Sequence, residues 1–448
     1  MNNPVMVNTN KNNGPKHIVI IGGGFAGINL VLNLAKTGKY KVTLVDKNNY
    51  NFFPPLIYQV ATGFLEVSSI CYPFRKLLRN KTGVQFMLGS LIKIDAEAHC
   101  CYLCNGTVFY DYLVIACGAK TNYFGNDIIR ENAIPMKTVN DALRMRNILL
   151  QTLEQACQTN DSAQRKKLLT IVVAGGGPTG VEVAGMLAEL RKYIVAKDYP
   201  ELKNESGEIY LVDGAPNLLA QMSESSHADA YKALTKLGVK IKLKTFVNDF
   251  FNDQVVLSND EIIETKNLIW AAGVIAKTFD GIHKRSVGQS NRIIVDQFNK
   301  VYDMDDVFAI GDICIQKTDP YFPNGHPQLA QVAIQQGVNL ARNFSAMNKG
   351  KKLQSFAYRD KGNMAIIGRN KAVCDLFKTK LHIGGFTALL MWLFIHLTSL
   401  INYRNKLRTL YNWIVAYFTR DQSLRMIIRP DASLVKKQSL IEKNELQL

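Results

Sequence analysis

The chain has 448 residues, 47% of them hydrophobic and 20% charged, which indicates a folded globular protein of two or three domains rather than a disordered chain. Its formal net charge of +17 favours an anionic partner, such as nucleic acid, an acidic lipid surface or an anionic ligand, although a basic solvated surface explains the charge more simply. Eight cysteines in a chain of this length do not form a disulfide framework.

Residues 1–15 are polar and rich in asparagine, and they contain no apolar core of the kind that a signal peptide needs. We therefore predict a disordered leader over these residues. We expect the protein in the cytosol, where its cysteines are kept reduced.

The first predicted elements form a dinucleotide-binding unit. The apolar, β-branched run His17–Ile21 predicts a buried strand, and Gly22, Gly24 and Gly27 follow it in G-x-G-x-x-G spacing before a helical pattern. The first glycine permits a tight turn, the second lets the backbone approach a pyrophosphate, and the third allows close helix–strand packing. A second strand ends in Asp46, whose carboxylate can accept hydrogen bonds from a ribose.

The same pattern recurs in the middle of the chain. A predicted strand is followed by Gly175, Gly177 and Gly180 and by a helical pattern, and a further strand ends in Asp213. The gap between the last glycine and the acid is longer than usual, and we attribute it to an extended helix and a loop. Two fingerprints imply two dinucleotide sites.

Three further strands predict how the two units are connected. Ala116 and Gly118 end a strand after the first fingerprint, and Ala272 and Gly273 end one after the second. The later strand Val307–Ile310 leads into Gly311 and Asp312. Because this acid-tipped strand follows the second unit, we expect the first domain to resume there, so that the second domain is inserted in the first.

The residues that follow each acid predict which dinucleotide binds where. The segment "GAPNLLAQM" after Asp213 has no Arg or Lys to meet a 2′-phosphate, which favours NADH over NADPH. After Asp46 comes "KNNYNFFPPLIYQVATG", an aromatic and proline-rich loop that can enclose a large ring system, which favours FAD at the first site. Such paired sites predict a hydride relay from nicotinamide to flavin.

The C-terminal region contains two apolar helical patterns. Residues 386–401 are too few to span a bilayer, for which about 20 apolar residues are needed. In the next stretch apolar residues recur at helical spacing among cations, which is typical of a helix that lies in the membrane interface; a dimerisation helix pair is the alternative. The predicted apolar face consists of Leu407, Leu410, Tyr411, Ile414, Val415 and Phe418, with cations at Arg404, Lys406, Arg408 and Arg420. The aromatic residues expected at the lipid headgroups are Trp392, Tyr403, Tyr411, Trp413 and Tyr417.

These elements predict an α/β fold with two Rossmann-like dinucleotide-binding domains and a C-terminal membrane-associating helical segment. The predicted parts are a leader at 1–15, the FAD-binding domain at 16–138 and 291–378, the NADH-binding domain at 139–290, amphipathic helices at 379–430 and a polar tail at 431–448.

With these motifs in place, the chain resembles the two-dinucleotide-binding-domain flavoproteins, and among them the type II, single-subunit NADH:quinone oxidoreductases. The narrower resemblance is carried by "NYNFFPPLIYQVATG", "GGGPTGVEVAGMLAE", "PQLAQVAIQQG" and "WLFIHLTSLINYRNKLRTLYNW". The family's usual loop has His where this chain has Asn51, and often Gln where it has Pro54. The resemblance implies FAD, NADH as donor, a membrane quinone as acceptor, no proton pumping, a homodimer, and peripheral attachment to an anionic lipid surface at the cytoplasmic face of the cell membrane.

The fingerprints and the resemblance together give the predicted binding positions. For FAD they are Gly22, Gly24, Phe25, Ala26, Gly27, Asp46, Lys47, Pro55, Tyr58, Ala116, Gly118, Gly311, Asp312, Ala330, Gln331 and Val332. For NADH they are Gly175, Gly177, Pro178, Thr179, Gly180, Glu182, Asp213, Ala272 and Gly273. No metal site is predicted.

The catalytic and quinone-binding predictions rest mainly on the resemblance. It implies that Glu182 lies between nicotinamide and quinone and assists with protons or charge. Gln331 and Gln335 share one face of a predicted helix, where two neutral amides suit the two carbonyl oxygens of a quinone; a polar helix surface is the alternative. His396 is a further candidate for the quinone site. The alternative is that it is a polar residue at an interface or a dimer contact.

Two other functions agree with part of the sequence. A sulfide:quinone reductase needs cysteines near the flavin, and Cys157, Cys314 and Cys374 are available, but such an enzyme has no need of the second fingerprint. Cys101 and Cys104 lie in a predicted hairpin and are expected to be ordinary strand residues. An NADH-sensing, nucleic-acid-binding flavoprotein ranks last, because the sequence has no nucleic-acid-binding module, and we expect no nucleic-acid partner.

Overall fold

The structure is a computed structural model that describes residues 14–203, 205, 207–377, 379–419 and 424–428. Almost all of the predicted leader, Arg420 and the whole predicted tail at 431–448 lie outside these residues. The described chain forms two parallel α/β units and a C-terminal part of strands and helices.

The first sheet has five parallel strands built around the first fingerprint. His17–Ile21 is its central strand, and all five of its residues are buried, as the continuous apolar run predicts. The glycine turn leads into the first fingerprint helix, Phe25–Ala35. In spatial order the strands are Val307–Ala309, Tyr112–Ile115, His17–Ile21, Lys41–Asp46 and Val84–Leu88.

The second sheet repeats this arrangement with five parallel strands. The second fingerprint helix, Pro178–Leu190, starts with proline at its first position, where the missing N–H is not needed. A five-residue π-helical segment, Arg191–Val195, extends it, as predicted from the long gap before the acid. The spatial order is Ile134–Pro135, Asn267–Trp270, Ile171–Ala174, Ile209–Asp213 and Val239–Leu243.

The strand order confirms that the second unit is inserted in the first, because Val307–Ala309 returns to the first sheet after the second sheet is complete. The chain enters the second sheet at Ile134, before the predicted boundary at 139, where a helix starts behind a capping box formed by Thr138. The segment that leaves the first unit, Ala119–Thr121, pairs antiparallel with the segment that returns to it, Val274–Ala276. The boundaries at 139 and 291 remain predictions.

The C-terminal part consists of a three-stranded antiparallel sheet and two helices. The strands are Asn363–Gly368, Lys371–Leu376 and Leu381–Gly384. The first C-terminal helix is Gly385–Ser399 and the second is Tyr403–Thr419. Within the described residues, no helix combines the length and the hydropathy needed to cross a bilayer.

The C-terminal part shares one hydrophobic core with the second fingerprint helix and with the aromatic loop of the first unit. The helix that opens with the AQVAIQQG motif, here called the glutamine helix, is Ala330–Asn348 and packs on the first fingerprint helix. The remaining helices are Ile57–Ala61, Val67–Ile70, Phe74–Leu78, Asp127–Asn132, Val139–Gln158, Ser162–Leu169, Ala196–Asp198 and Glu224–Lys236. The remaining strands are Tyr50–Phe52, Cys71–Pro73, Leu91–Asp95, Cys100–Leu103, Gly106–Phe109, Val247–Phe251, Gln254–Leu257, Ile262–Glu264, Ile293–Val295 and Cys314–Gln316.

Candidate functional site

The glycine turn of the first fingerprint leaves an open cradle at a helix N-terminus. Gly22 has φ +106°, and a Cβ there would collide with the carbonyl of Ala116. A Cβ on Gly27 would overlap the carbonyl of Gly22, so this glycine permits the close packing of helix and strand. Gly24 caps the helix and has nothing within 4 Å of the position of a Cβ. The cradle therefore has room for a pyrophosphate in front of free backbone N–H groups.

Asp46 stands beside this cradle as predicted. Its Oδ2 accepts the N–H of Gly23 at 2.7 Å and its Oδ1 accepts the N–H of Asn48 at 2.8 Å. Burial raises the pKa of Asp46. Sequence reasoning missed the function of Asn51, which is buried and donates its amide to the carbonyl of Gly23 at 2.7 Å. The residue that replaces the family's His thus ties the aromatic loop to the glycine turn.

The glutamine helix meets the first fingerprint helix at Gly311. This residue has φ +80°, and a Cβ on it would lie 3.2 Å from the Cβ of Ala26 and 3.5 Å from that of Ala333. The first turns of two helices thus converge beside Asp312, whose pKa burial raises. Two helix N-termini favour a negatively charged group at this point. Gln336, which was not predicted, is buried and accepts the Gly311 N–H at 2.7 Å.

The other positions predicted for the flavin site differ in exposure. Phe25 contacts Phe53 edge to face, with ring centroids 5.6 Å apart. Gly118 has φ +68° and open space at the position of a Cβ. Ala116, Tyr58 and Val332 are buried, Pro55 and Ala330 are half-buried, and Lys47 is exposed.

The second fingerprint reproduces the geometry of the first. Gly175 has φ +111° and lies against the carbonyl of Ala271, a Cβ on Gly180 would overlap the carbonyl of Gly175, and Gly177 has open space. Asp213 accepts the N–H of Gly176 and, at 2.6 Å, that of Ala215. Pro178 and Thr179 form the first turn of the helix.

A loop distant in sequence runs beside the residues that follow the second acid. The N–H of Lys244 donates to the carbonyl of Ala215 at 3.1 Å, and the Lys244 side chain is exposed. This backbone contact was not predicted from the sequence. Ala272 and Gly273 lie at the end of the neighbouring strand, where the Gly273 carbonyl accepts the N–H of Asn122 at 3.1 Å.

Glu182 lies inside the protein, between the two units. It is 9% exposed and accepts a hydrogen bond from the backbone N–H of Ile366 in the C-terminal part. Burial raises its pKa well above the usual range. The pKa of Tyr58 is also raised well above its usual value, first by burial and then by the charge of Glu182. The second fingerprint helix thus brings a buried carboxyl, whose pKa is raised, next to the aromatic loop of the first unit.

Gln331 and Gln335 bind backbone rather than facing open space. Gln331 donates its amide to the carbonyl of Gly362 at 2.8 Å and accepts the N–H of Lys361 at 3.1 Å. Gln335 donates to the carbonyl of Arg359 at 2.9 Å and accepts its N–H at 3.1 Å. Each side-chain amide keeps one further N–H for a ligand. The two residues therefore hold segment 359–362 on the glutamine helix.

His396 connects the aromatic loop with the first C-terminal helix. Its Nδ1 lies 2.8 Å from the carbonyl of Trp392 and donates to it, so that Nε2 remains an acceptor. Its ring stacks on Trp392 at 3.8 Å and meets Phe53 edge to face at 6.1 Å. Burial lowers its pKa to about 4, so the ring is neutral at neutral pH.

The prediction that both C-terminal tryptophans lie at the headgroups is wrong. Trp392 is 0% and Trp413 7% exposed. The indole Nε1 of Trp413 donates to the Oε1 of Gln59 at 2.8 Å, and Gln59 in turn donates to the Tyr58 hydroxyl at 3.0 Å. These rings fasten the helices to the protein instead of reaching outwards.

The second C-terminal helix turns its apolar face away from the protein. Its buried residues are Asn405, Thr409, Trp413 and Ala416, all on the opposite face. Five of the six residues predicted for the apolar face are well exposed, namely Leu407, Leu410, Tyr411, Ile414 and Phe418. The first C-terminal helix adds Phe386, Leu390, Phe394 and Ile395 to the exposed apolar side chains.

The cysteines are distributed over the structure. Cys157, Cys314 and Cys374 belong to three different hydrophobic clusters. Cys101 and Cys104 lie in and just after a strand of the predicted hairpin. Among the described residues no group of three or more acidic, His or Cys side chains is arranged to hold a metal ion.

Comparisons with known proteins agree with this geometry. Residues 16–337 match the family described as pyridine nucleotide-disulphide oxidoreductase, and residues 361–421 match the NDH2 C-terminal domain. The type II NADH:quinone oxidoreductase Ndh of Mycobacterium tuberculosis is 34% identical over 421 residues, which cover 90% of this chain and 88% of that protein. The internal alternative NAD(P)H-ubiquinone oxidoreductase A1 of Arabidopsis thaliana mitochondria is 30% identical, over 91% of this chain and 85% of that protein.

Solved structures share the fold. The Plasmodium falciparum NDH2 in complex with NADH superposes with a TM-score of 0.84 at 24% identity, covering 92% of this chain and 100% of that chain. The sulfide:quinone oxidoreductase of Aquifex aeolicus is more distant, with a TM-score of 0.70 at 19% identity, over 93% and 96% of the two chains. By its sequence identity along almost its whole length and by its C-terminal domain, the chain belongs to the type II NADH:quinone oxidoreductases, a family of flavin-dependent enzymes.

Proposed function

We propose that the flavin is FAD, held at the first fingerprint, and that NADH binds at the second. The observation that carries this proposal is the repeated geometry, in which an open glycine cradle lies beside a carboxylate that accepts a backbone N–H of the turn, from Gly23 in the first unit and from Gly176 in the second. A dinucleotide fits both cradles, because each offers free helix N–H groups to a pyrophosphate and an acid to a ribose. When bound, FAD supplies the chemistry that converts hydride transfer from NADH into electron transfer to a membrane quinone.

The remaining residues of the first site orient and tune the flavin. Asn51 and Gln336 hold the two turns that carry Gly23 and Gly311. The converging helix N-termini at Gly311 favour negative charge, so they stabilise the reduced form of the cofactor. Asp312 supports the sugar chain of FAD.

Glu182 holds a proton between the two sites. Burial raises its pKa and so favours the protonated carboxyl, which can donate its proton when charge changes next to it. The quinone lies towards the N-terminal half of the glutamine helix, where Gln331 and Gln335 each keep a free N–H for a quinone oxygen. The neutral ring of His396 offers Nε2 as an acceptor at the membrane side.

The C-terminal helices attach the protein to the membrane. The exposed apolar face of the second C-terminal helix lies beside Arg404 and Arg408, which suits insertion into the interface of an anionic lipid surface. Attachment is peripheral and at the cytoplasmic face, so that NADH reaches its site from the cytosol. The active form is a homodimer.

The test uses detergent-solubilised protein. Its visible spectrum and the mass of the extracted cofactor identify the flavin. Reduction of a soluble quinone is then followed with NADH, NADPH or sulfide as the donor. We expect FAD and fast reduction with NADH. Bleaching of the flavin by sulfide but not by NADH would refute the assignment and favour the sulfide:quinone reductase alternative.

A further inference from the structure

An exposed aromatic ring lies beside the second acid. Phe246 belongs to the loop that follows the strand Val239–Leu243, far in sequence from Asp213. The fold joins the two: the N–H of Thr245 donates to the carbonyl of Asp213 at 3.1 Å, and that of Lys244 donates to the carbonyl of Ala215 at 3.1 Å. The loop 244–246 thus runs alongside residues 213–215.

The ring of Phe246 lies directly against Gly214. A Cβ at position 214 would overlap this ring, so only glycine after the acid allows the approach. The backbone of Phe246 is held on both sides by Ser258, whose hydroxyl accepts its N–H at 3.0 Å and whose N–H donates to its carbonyl at 2.9 Å. Although the backbone is held in this way, 62% of the residue is exposed.

An exposed phenylalanine alone needs no explanation. Here, however, the backbone of Phe246 is hydrogen-bonded in place, a glycine makes room for the ring, and that glycine directly follows the acid that is proposed to bind the ribose. A dinucleotide with its pyrophosphate at Gly177 and its ribose at Asp213 extends its base beyond the ribose, towards the loop that is bonded to residues 213–215. The base therefore arrives at the ring of Phe246.

We infer that Phe246 is the platform on which the adenine of NADH stacks, with Gly214 as the residue that makes room for the ring. Purine rings stack on aromatic side chains because both are flat and weakly solvated, and stacking contributes to affinity without reading the base edge. Phe246 therefore sets the affinity for the donor, far from the reacting nicotinamide. This inference rests on the proposed NADH site.

The test compares two donors that share the reacting ring. NADH carries adenine, and reduced nicotinamide mononucleotide does not. Phe246→Ala should raise KM for NADH by about tenfold, the order expected for loss of one stacking contact. It should leave kcat with NADH and kcat/KM with the mononucleotide unchanged. Phe246→Tyr keeps the ring and should restore the KM for NADH.

Phe251→Ala is the matched control, because Phe251 is also exposed, at 44%, and ends the strand Val247–Phe251 that begins directly after Phe246. It should behave as wild type with both donors. A KM for NADH within about twofold of wild type in Phe246→Ala, or an equal loss with both donors, would overturn the inference. Failure of the proposed function would be seen separately, because wild type itself would then not oxidise NADH.

Discussion

Removal of the hydrogen bond between Trp413 and Gln59 should loosen the second C-terminal helix from the body of the protein. The bond is 2.8 Å long and both side chains are buried, so water does not replace the lost donor in Trp413→Phe. A buried acceptor without its partner costs about 1–3 kcal/mol. This corresponds to an about 5- to 150-fold rise in the fraction of molecules whose helix is undocked.

The assay is hydrogen exchange of the amides in residues 403–419, in wild type, Trp413→Phe, Gln59→Leu and the double variant. The double variant makes both partners apolar. Its loss of docking free energy should therefore be smaller, by about 1 kcal/mol, than the sum of the losses in the two single variants. Tyr411→Phe changes only the exposed face of the helix and should exchange as wild type. If the losses of docking free energy in the two single variants add up to the loss in the double variant within about 0.5 kcal/mol, the two side chains are not coupled and the reasoning is refuted.

Three further predictions concern the flavin turn, the buried acid and the membrane face. Asn51→Asp places a carboxylate against the Gly23 carbonyl and should speed flavin release, which is measured by absorbance after gel filtration. Asn51→His keeps a hydrogen-bond donor and should retain flavin. Equal release from both variants would contradict a role for this hydrogen bond in holding the flavin. The raised pKa of Glu182 means that the folded state disfavours its ionisation, so wild type should lose stability relative to Glu182→Gln as the pH rises above the ordinary value of 4.5, whereas the difference should be constant below it. Thermal unfolding across pH measures this, and a stability difference that does not change with pH would contradict it. Leu407→Glu and Phe418→Glu should each lower the affinity for anionic vesicles about tenfold, measured by sedimentation. Ile262→Glu changes another exposed apolar residue and should bind as wild type. Equal binding by all three variants would place the membrane contact elsewhere.

The two fingerprints could be predicted because their determinants are local. A buried strand, a glycine turn and a helix follow one another without interruption, from His17 to Ala35 and from Ile171 to Leu190, and each acid ends the next strand, so the positions of Asp46 and Asp213 are predictable from the local pattern. The start of the second sheet was harder to place. Its first strand, Ile134–Pro135, has only two residues, too few to show the pattern of a strand.

The site contacts that were missed depend on the fold. The loop 244–246 reaches residues 213–215 because parallel strands end at the same edge of a sheet, whatever their distance in sequence. The partners of Gln331 and Gln335 are backbone groups, which every sequence offers and no pattern marks. Their side chains were rightly placed on one helix face, but the occupant of that face was not visible from the sequence.

The tryptophans show a different limit. The first C-terminal helix, Gly385–Ser399, is apolar around its circumference, so its periodicity does not tell which side faces the protein. In the second C-terminal helix, Trp413 lies on the narrow face with Thr409 and Ala416, opposite the wide apolar face. The general preference of tryptophan for membrane interfaces gave the wrong side in both cases.

The antiparallel pair formed by Ala119–Thr121 and Val274–Ala276 brings the exit of the chain from the first unit and its return together. Thr121 lies opposite Val274, so the chain leaves the first unit and returns to it at the same point in space. The same two strands, bonded side by side, also form a double hinge, which resists twisting of one unit against the other more strongly than a single connecting strand would.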